Sequence, residues 1–187
     1  MFDIFDESGV PCGTASRDAV HRRGLWHRAA NVFLFSTDGR LLLQRRQLTK
    51  DVCPGAWDLS VAEHLRPGES FAAGAVRGLR EELGVSVTDL EPLGGVTRAR
   101  LDIESLGIRD YEFQQSFTGT FDGTVSPAND EVMETRYIAL AELAAELDQH
   151  PEKFTPWLMK RTAELGILDS AVPASRARRD EAGGGES

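Results

Sequence analysis

Cysteine is scarce in this chain. Two occur among 187 residues, Cys12 and Cys53, far apart and in no ligand spacing, so neither a disulfide framework nor a thiolate metal knuckle is expected. The bland reading is two free thiols in a reducing cytoplasm. No apolar run approaches the roughly 18–20 residues that a membrane-spanning helix needs. The start, "MFDIFDESGV", carries acids where a secretory leader has bases and then an apolar stretch, which argues against export and for a cytoplasmic setting. Excess positive charge is also lacking: the formal net charge is −9. Non-specific nucleic-acid binding rests on Lys and Arg facing phosphates, so that class is not expected. An acidic protein can still hold phosphates when divalent cations stand between the two charges. No internal repeat is present.

What remains is ordinary for one globular domain, with 41% hydrophobic and 27% charged residues. "FDIFD" alternates and predicts a short strand with a turn at Ser8-Gly9. "SRDAVHRRG" predicts a short helix capped by Ser16 and ended by Gly24. "RAANVFLFSTDGRLLLQRR" predicts a hairpin turning at Asp38-Gly39. A strand is expected over Trp57–Ala62, between two Pro-Gly punctuations. Ser70 to Gly84 is the clearest helix, with Ala72, Ala75, Val76, Leu79 and Leu83 on one face. Further strands are expected at Val85–Thr88, Gly95–Arg100, Tyr111–Phe121 and Thr135–Leu140. Two helices follow, about Ala141–Leu147 and Thr155–Leu165. Strands mixed with few helices predict an α/β (α+β) layered fold in a single domain, 1–168. The segment 169–187 has almost no apolar content and is expected to be a mobile tail.

The helix from Ser70 raises a question. It carries a mid-helix glycine, Gly78, directly after Arg77, and on its helical wheel Glu81 and Glu82 share a flank with Gly74 and Gly78. Neighbouring carboxylates repel unless water or a cation separates them, and oxygen-rich clusters suit Mg²⁺. A solvated helix end is the plain alternative.

Glu69, Arg77, Leu79, Glu81, Glu82, Gly84 and Val85 fall at the spacing of the Nudix box, G-x5-E-x7-REUxEExGU with U aliphatic. The chain therefore resembles the Nudix family. That resemblance implies a mixed β-sheet sandwiched between helices, and a loop–helix–loop that holds Mg²⁺ or Mn²⁺ against the diphosphate of a small molecule. It implies Glu81 and Glu82 as metal ligands and catalytic groups, with Arg77 and Glu69 bracing the box. Two positions depart: the leading glycine is Glu63, and the glutamate expected after Arg77 is Gly78. Glu63 is thus a candidate to restore the lost carboxylate from the opposite wall, as a base for water.

The wider chain, through "HRAANVFLF", "LLLQRR", "PGAWDLSVAEH", "NDEVMETRY" and "FTPWLMK", resembles the branch of type I isopentenyl diphosphate isomerases and their hydrolase-like relatives. By position this implies a second metal set of His21, His27, His64, Asp110 and Glu112, with His21 displaced by one residue. It implies Glu112 as an acid–base group, and Arg45, Arg77 and Trp157 at the substrate. The cysteine that isomerases pair with the glutamate falls at Ala62, which can neither donate nor accept a proton. Three readings follow: a cation-dependent hydrolase of a diphosphate bond in a nucleotide or related small molecule, an isomerase-like enzyme weakened at Ala62, or a non-catalytic diphosphate binder. Oligomeric state is not legible.

Overall fold

A computed structural model of the chain describes residues 1–127 and 130–169. The expected tail, beyond Asp169, lies outside the described residues. Phe2–Phe5 (β1) and Pro11–Ala15 (β2) form an antiparallel ribbon. The Asp6 carboxylate ties its turn, accepting from Ser8 N and Val10 N at 2.9 Å each. β2 gave no sequence signal, because a proline, a glycine and exposed side chains break the alternation. Arg17–Arg23 (α1) follows, capped as expected by Ser16 and Gly24.

His27–Phe35 (β3) and Leu41–Arg46 (β4) turn at Asp38-Gly39, yet they pair only at Phe35 and Leu41. Beyond that rung they part. Ser60 stands between them, its hydroxyl accepting from Leu34 N at 2.9 Å and donating to Leu42 O at 2.6 Å. The expected single strand Trp57–Ala62 is accordingly two: Trp57–Asp58 (β5) on β4, and Val61–His64 (β6) on β3. Leu59 and Ser60 cross the gap instead of extending a strand. Phe71–Leu83 (α2) is the expected helix, with Ser70 and Gly84 as its caps. Val85–Thr88 is not a strand; Val85 N bonds back to Leu79 O at 3.0 Å, closing the helix and burying its side chain. Glu91–Ile103 (β7) and Ile108–Thr120 (β8) make a long hairpin, and Val132–Ile138 (β9) returns to β4. Leu140–Gln149 (α3) and Pro156–Glu164 (α4) close the described chain.

The result is a seven-stranded mixed sheet, with β3 and β8 parallel at its centre. β3 is apolar on both faces, as a strand covered on both sides must be. Ala30, Val32 and Leu34 pack with Leu42 against Ala75, Leu79 and Leu83 of α2. Phe33 and Phe35 pack with Leu41 and Leu43 against Leu143 of α3 and Leu158 of α4. The sheet is thus sandwiched between helices. The parting of β3 from β4 leaves a cleft in it, and the chemistry-bearing residues gather there.

Candidate active site

Strand register assembles one side of the cleft. His27 lies opposite Glu112 across β3 and β8, and Ala29 lies between Gln114 on β8 and His64 on β6. Side chains two apart share a face, so His27, His64, Asp110 and Glu112 project together. α1 adds His21. His27 Nε2 is 3.4 Å from Asp110 Oδ1 and 3.6 Å from Glu112 Oε1. His64 Nε2 is 3.0 Å from Glu112 Oε1, and His21 Nε2 is 3.6 Å from Asp110 Oδ1. His21, despite its displaced sequence position, therefore joins the group.

These approaches lack hydrogen-bond alignment. The Nε2 atoms of all three imidazoles and Asp110 Oδ1 are buried without a partner. Unmatched buried nitrogen and oxygen atoms are costly, and one donor atom from each of these four residues falls within 4.8 Å of the others. That convergence fits a divalent cation. Imidazole with carboxylate suits Mn²⁺ or Zn²⁺ better than a purely oxygen-seeking ion. His27 Nδ1 sits 3.0 Å from Leu25 O, the kind of outer contact that leaves Nε2 free for a metal. Burial first, and then the neighbouring imidazole of His64, hold the His21 pKa down to about 3. Burial and then His27 do the same to His64, also to about 3. Burial and the Glu112 charge push Asp110 up to about 6. The His21 and His64 rings are thus neutral near pH 7. Phe2 of β1 stacks on His27 and His64, ring centroids 5.5 and 5.1 Å away.

The other side of the cleft is α2 and its loop. Arg77 is buried, and its donors are all engaged. Nε and Nη2 reach Glu69 at 2.8 Å each, Nη2 also reaches His64 O at 2.9 Å, and Nη1 meets Glu63 at 2.8 Å and Glu81 at 3.2 Å. It does not line the cavity, which corrects its expected place at the substrate: it braces the box and ties it to the strand bearing His64. Glu81 faces the cavity while held by Arg77 and Arg66. Glu82 is buried and accepts from Gln44 Nε2 at 2.8 Å. Burial, with Glu63, Glu131 and Asp58 adding like charge, pushes its pKa up to about 8. A carboxyl that resists ionising alone is one that a cation would relieve.

Gly78 answers the question of the interrupted helix. A Cβ there would lie 2.6 Å from Val61 Cγ1 and 3.0 Å from Glu63 Cβ. β6 passes so close that only glycine fits, and the Glu63 stem fills part of the space that a side chain at 78 would take. Glu63 lines the cavity but ends on Arg77.

Both sides open into one cavity of about 690 Å³. Trp157 and Arg46 line it, the guanidinium 5.2 Å from the indole ring. Asp58, fully buried, accepts from Trp157 Nε1 at 2.6 Å, Thr155 Oγ1 at 2.9 Å and Arg46 Nη1 at 3.1 Å. Arg45, expected at the substrate, points the other way; it bonds Gly55 O at 2.9 Å and Glu134 at 2.7 Å beside a separate depression. Strand alternation allows only one of two adjacent arginines to face in, and "QRR" alone does not say which. Asn31, Gln44 and Gln114, which line the cavity, and Asp58 behind it went unnoticed in the sequence: nothing in an isolated amide or acid marks such a place.

A model of the NUDIX domain matches residues 25–158. The chain belongs to the Nudix family. The isopentenyl-diphosphate Delta-isomerase of Streptomyces griseus subsp. griseus is 40% identical to this Nudix chain over 177 residues, covering 94% of it and 85% of the relative. That of Serratia proteamaculans is 35% identical over 167 residues, covering 89% and 91%. Among solved structures, a Deinococcus radiodurans protein superposes with a TM-score of 0.67 at 22% identity, over 88% of this chain and 98% of its own. A MutT protein from Methanosarcina mazei gives 0.58 at 19% identity, over 77% and 93%. These two show the fold alone. Family and named relatives together support an enzyme. No helix among the described residues is long and apolar enough to cross a membrane.

Proposed function

We propose that this Nudix protein is a divalent-cation-dependent hydrolase that cleaves a diphosphate bond in a small molecule, in a cytoplasmic setting. The observation that carries the reading is Ala62. It lines the cavity directly before Glu63 and His64 on β6, opposite Asn31 of β3, and its methyl group offers no proton where an alkene would need one. The carboxylates, by contrast, suit phosphate chemistry. Glu81 and Glu82 would hold Mg²⁺ or Mn²⁺ at the box, and His21, His27, His64, Asp110 and Glu112 would hold a second, softer ion. When bound, such cations neutralise phosphate charge and acidify water. Arg46 and Lys50 line the cavity with positive charge for the phosphates. Glu63 is raised above the usual carboxylate range by burial, which brings it closer to a working base. Water oxygen bonds to phosphorus, the bridging phosphorus–oxygen bond breaks, and the water proton passes to Glu63.

The test is incubation with Mg²⁺ or Mn²⁺ and a panel of diphosphates, followed by phosphorus NMR. Released phosphate is expected, with Glu82→Gln lowering the rate by on the order of 10²-fold or more. Isomerisation is the second reading, favoured by the complete histidine–carboxylate set and by the named relatives. An allylic product from isopentenyl diphosphate, without phosphate release, would establish it and remove the first. Ala62→Cys is expected to introduce that isomerisation on the same scaffold.

A further inference from the structure

The floor of the cavity carries polar atoms that neither metal ligation nor phosphate binding uses. Register places Ala29 between His64 and Gln114, and Asn31 between Ala62 and Ser116. Ala29, Ala62, Asn31 and Gln114 therefore share one face, the small alanines leaving room above the two amides. Asn31 is 2% exposed and Gln114 5%. Gln114 donates through Nε2 to Glu112 Oε2 at 2.5 Å, which leaves Oε1 as its other atom. Gln114 Oε1 and Asn31 Nδ2 are both buried without a partner, as is Arg161 Nε. Arg161, one turn after Trp157 on α4, also lines the cavity. Its Nη1 and Nη2 are fixed by Thr97 Oγ1 at 2.9 Å and Ser116 Oγ at 2.7 Å.

We infer that Asn31 and Gln114 are specificity-determining residues that require a hydrogen-bonding edge, an acceptor beside a donor, on the organic group of the diphosphate substrate. This rests on the hydrolase reading above. A carbonyl or ring nitrogen would accept from Asn31 Nδ2, with Arg161 Nε as a second donor. An adjacent N–H would donate to Gln114 Oε1. Amides, lactams and the edges of heterocyclic bases have that pattern; an alkyl or alkenyl group does not. A hydrocarbon could still lie against Leu101, Ile103 and Ile108, the apolar stripe of the β7–β8 hairpin at the rim. Over the floor it would seal an unpaired donor and an unpaired acceptor. Sites with buried polar groups reject ligands that leave them unpaired far more strongly than apolar pockets reject an extra hydroxyl.

The experiment compares kcat/KM for metal-dependent phosphate release from uridine diphosphate, cytidine diphosphate and isopentenyl diphosphate, in the full chain and in Asn31→Leu. The native chain is expected to favour a nucleoside diphosphate. Asn31→Leu is expected to lower the nucleoside-to-alkenyl ratio roughly tenfold or more. Asn31→Asp, which replaces the donor with an acceptor, should move the ratio the same way while keeping the side chain polar. Phosphate release with an equal or greater preference for isopentenyl diphosphate overturns the inference and leaves the hydrolase reading intact. So does a ratio that Asn31→Leu leaves unchanged, whether overall activity falls or holds, since the amide is then only structural or water-bound. Isomerisation without phosphate release, or no turnover of any diphosphate, defeats the hydrolase reading instead. The same ratio is then read from ligand-induced shifts in Tm, where a preference for isopentenyl diphosphate again sinks the role of the floor.

Discussion

Gly78 shows how a single position carries two meanings. Read against the box, it is a missing carboxylate; read against the fold, it is the one residue that lets α2 lie on β6. A mid-helix glycine costs about 1 kcal/mol relative to alanine, so propensity alone favours Gly78→Ala. The Val61 methyl at 2.6 Å reverses that balance, because overpacking costs about 1–3 kcal/mol. Gly78→Ala is therefore expected to lower Tm by a few degrees in calorimetry. Val61→Ala should remove most of that loss when the two are combined, a coupling that a double-mutant cycle reads directly. Equal losses with and without Val61 would show that the close approach is not the reason for glycine. The same contact means that Gly78→Glu with Glu63→Gly will not rebuild the usual box unless Val61 is also made smaller.

At the scale of elements, the sequence was most legible where local rules act alone. Ser16 and Gly24, and Ser70 and Gly84, bracket their helices as capping chemistry requires. The Asp38-Gly39 turn was visible for the same reason. What failed was tertiary. Trp57–Ala62 looked like one strand because nothing local says that Ser60 will bridge β3 and β4 with its hydroxyl. Val85–Thr88 looked like a strand because an apolar run reads alike in a strand and in a helix-closing segment. In the site, the box glutamates and the histidines lay at motif spacings. Asp58 did not, yet it joins β4, β5 and α4, accepting from Arg46, Thr155 and Trp157 in a fully buried position. Asp58→Asn keeps the shape and removes the charge that Arg46 faces. Breaking a buried pair from one side costs about 3–5 kcal/mol. Asp58→Asn is expected to lower the denaturant midpoint substantially and to raise KM for diphosphate more than it lowers kcat, since Arg46 and Trp157 lose their anchor. A variant with native stability would mean that α4 is held by its apolar face alone.

The whole molecule concentrates its ionic strain in the cleft, and that fixes how its stability responds to pH and to metal. His21 and His64 are held near 3 in the folded chain against an ordinary 6.5. Between those values the unfolded chain binds protons that the folded chain refuses, so their effect is to lose stability as pH falls below about 6.5. Glu82 and Asp110 are raised, to about 8 and about 6. The folded chain keeps protons there that the unfolded chain releases, so these two lose stability as pH rises from about 4 toward 8. A cation reverses the second effect by taking the place of those protons. It meets little proton competition at His21 and His64, which are already neutral. The gain in Tm on adding Mn²⁺ to chelator-treated protein is therefore expected to be small at pH 5 and largest near pH 8, where Asp110 is already ionised and Glu82 about half so. Glu82→Gln should raise the Tm of the metal-free protein at pH 8 more than at pH 5, and should shrink the gain on adding metal. Thermal scans of both proteins across that range decide it. A metal-induced gain that is flat with pH, or undiminished in Glu82→Gln, would place the cation away from these carboxylates.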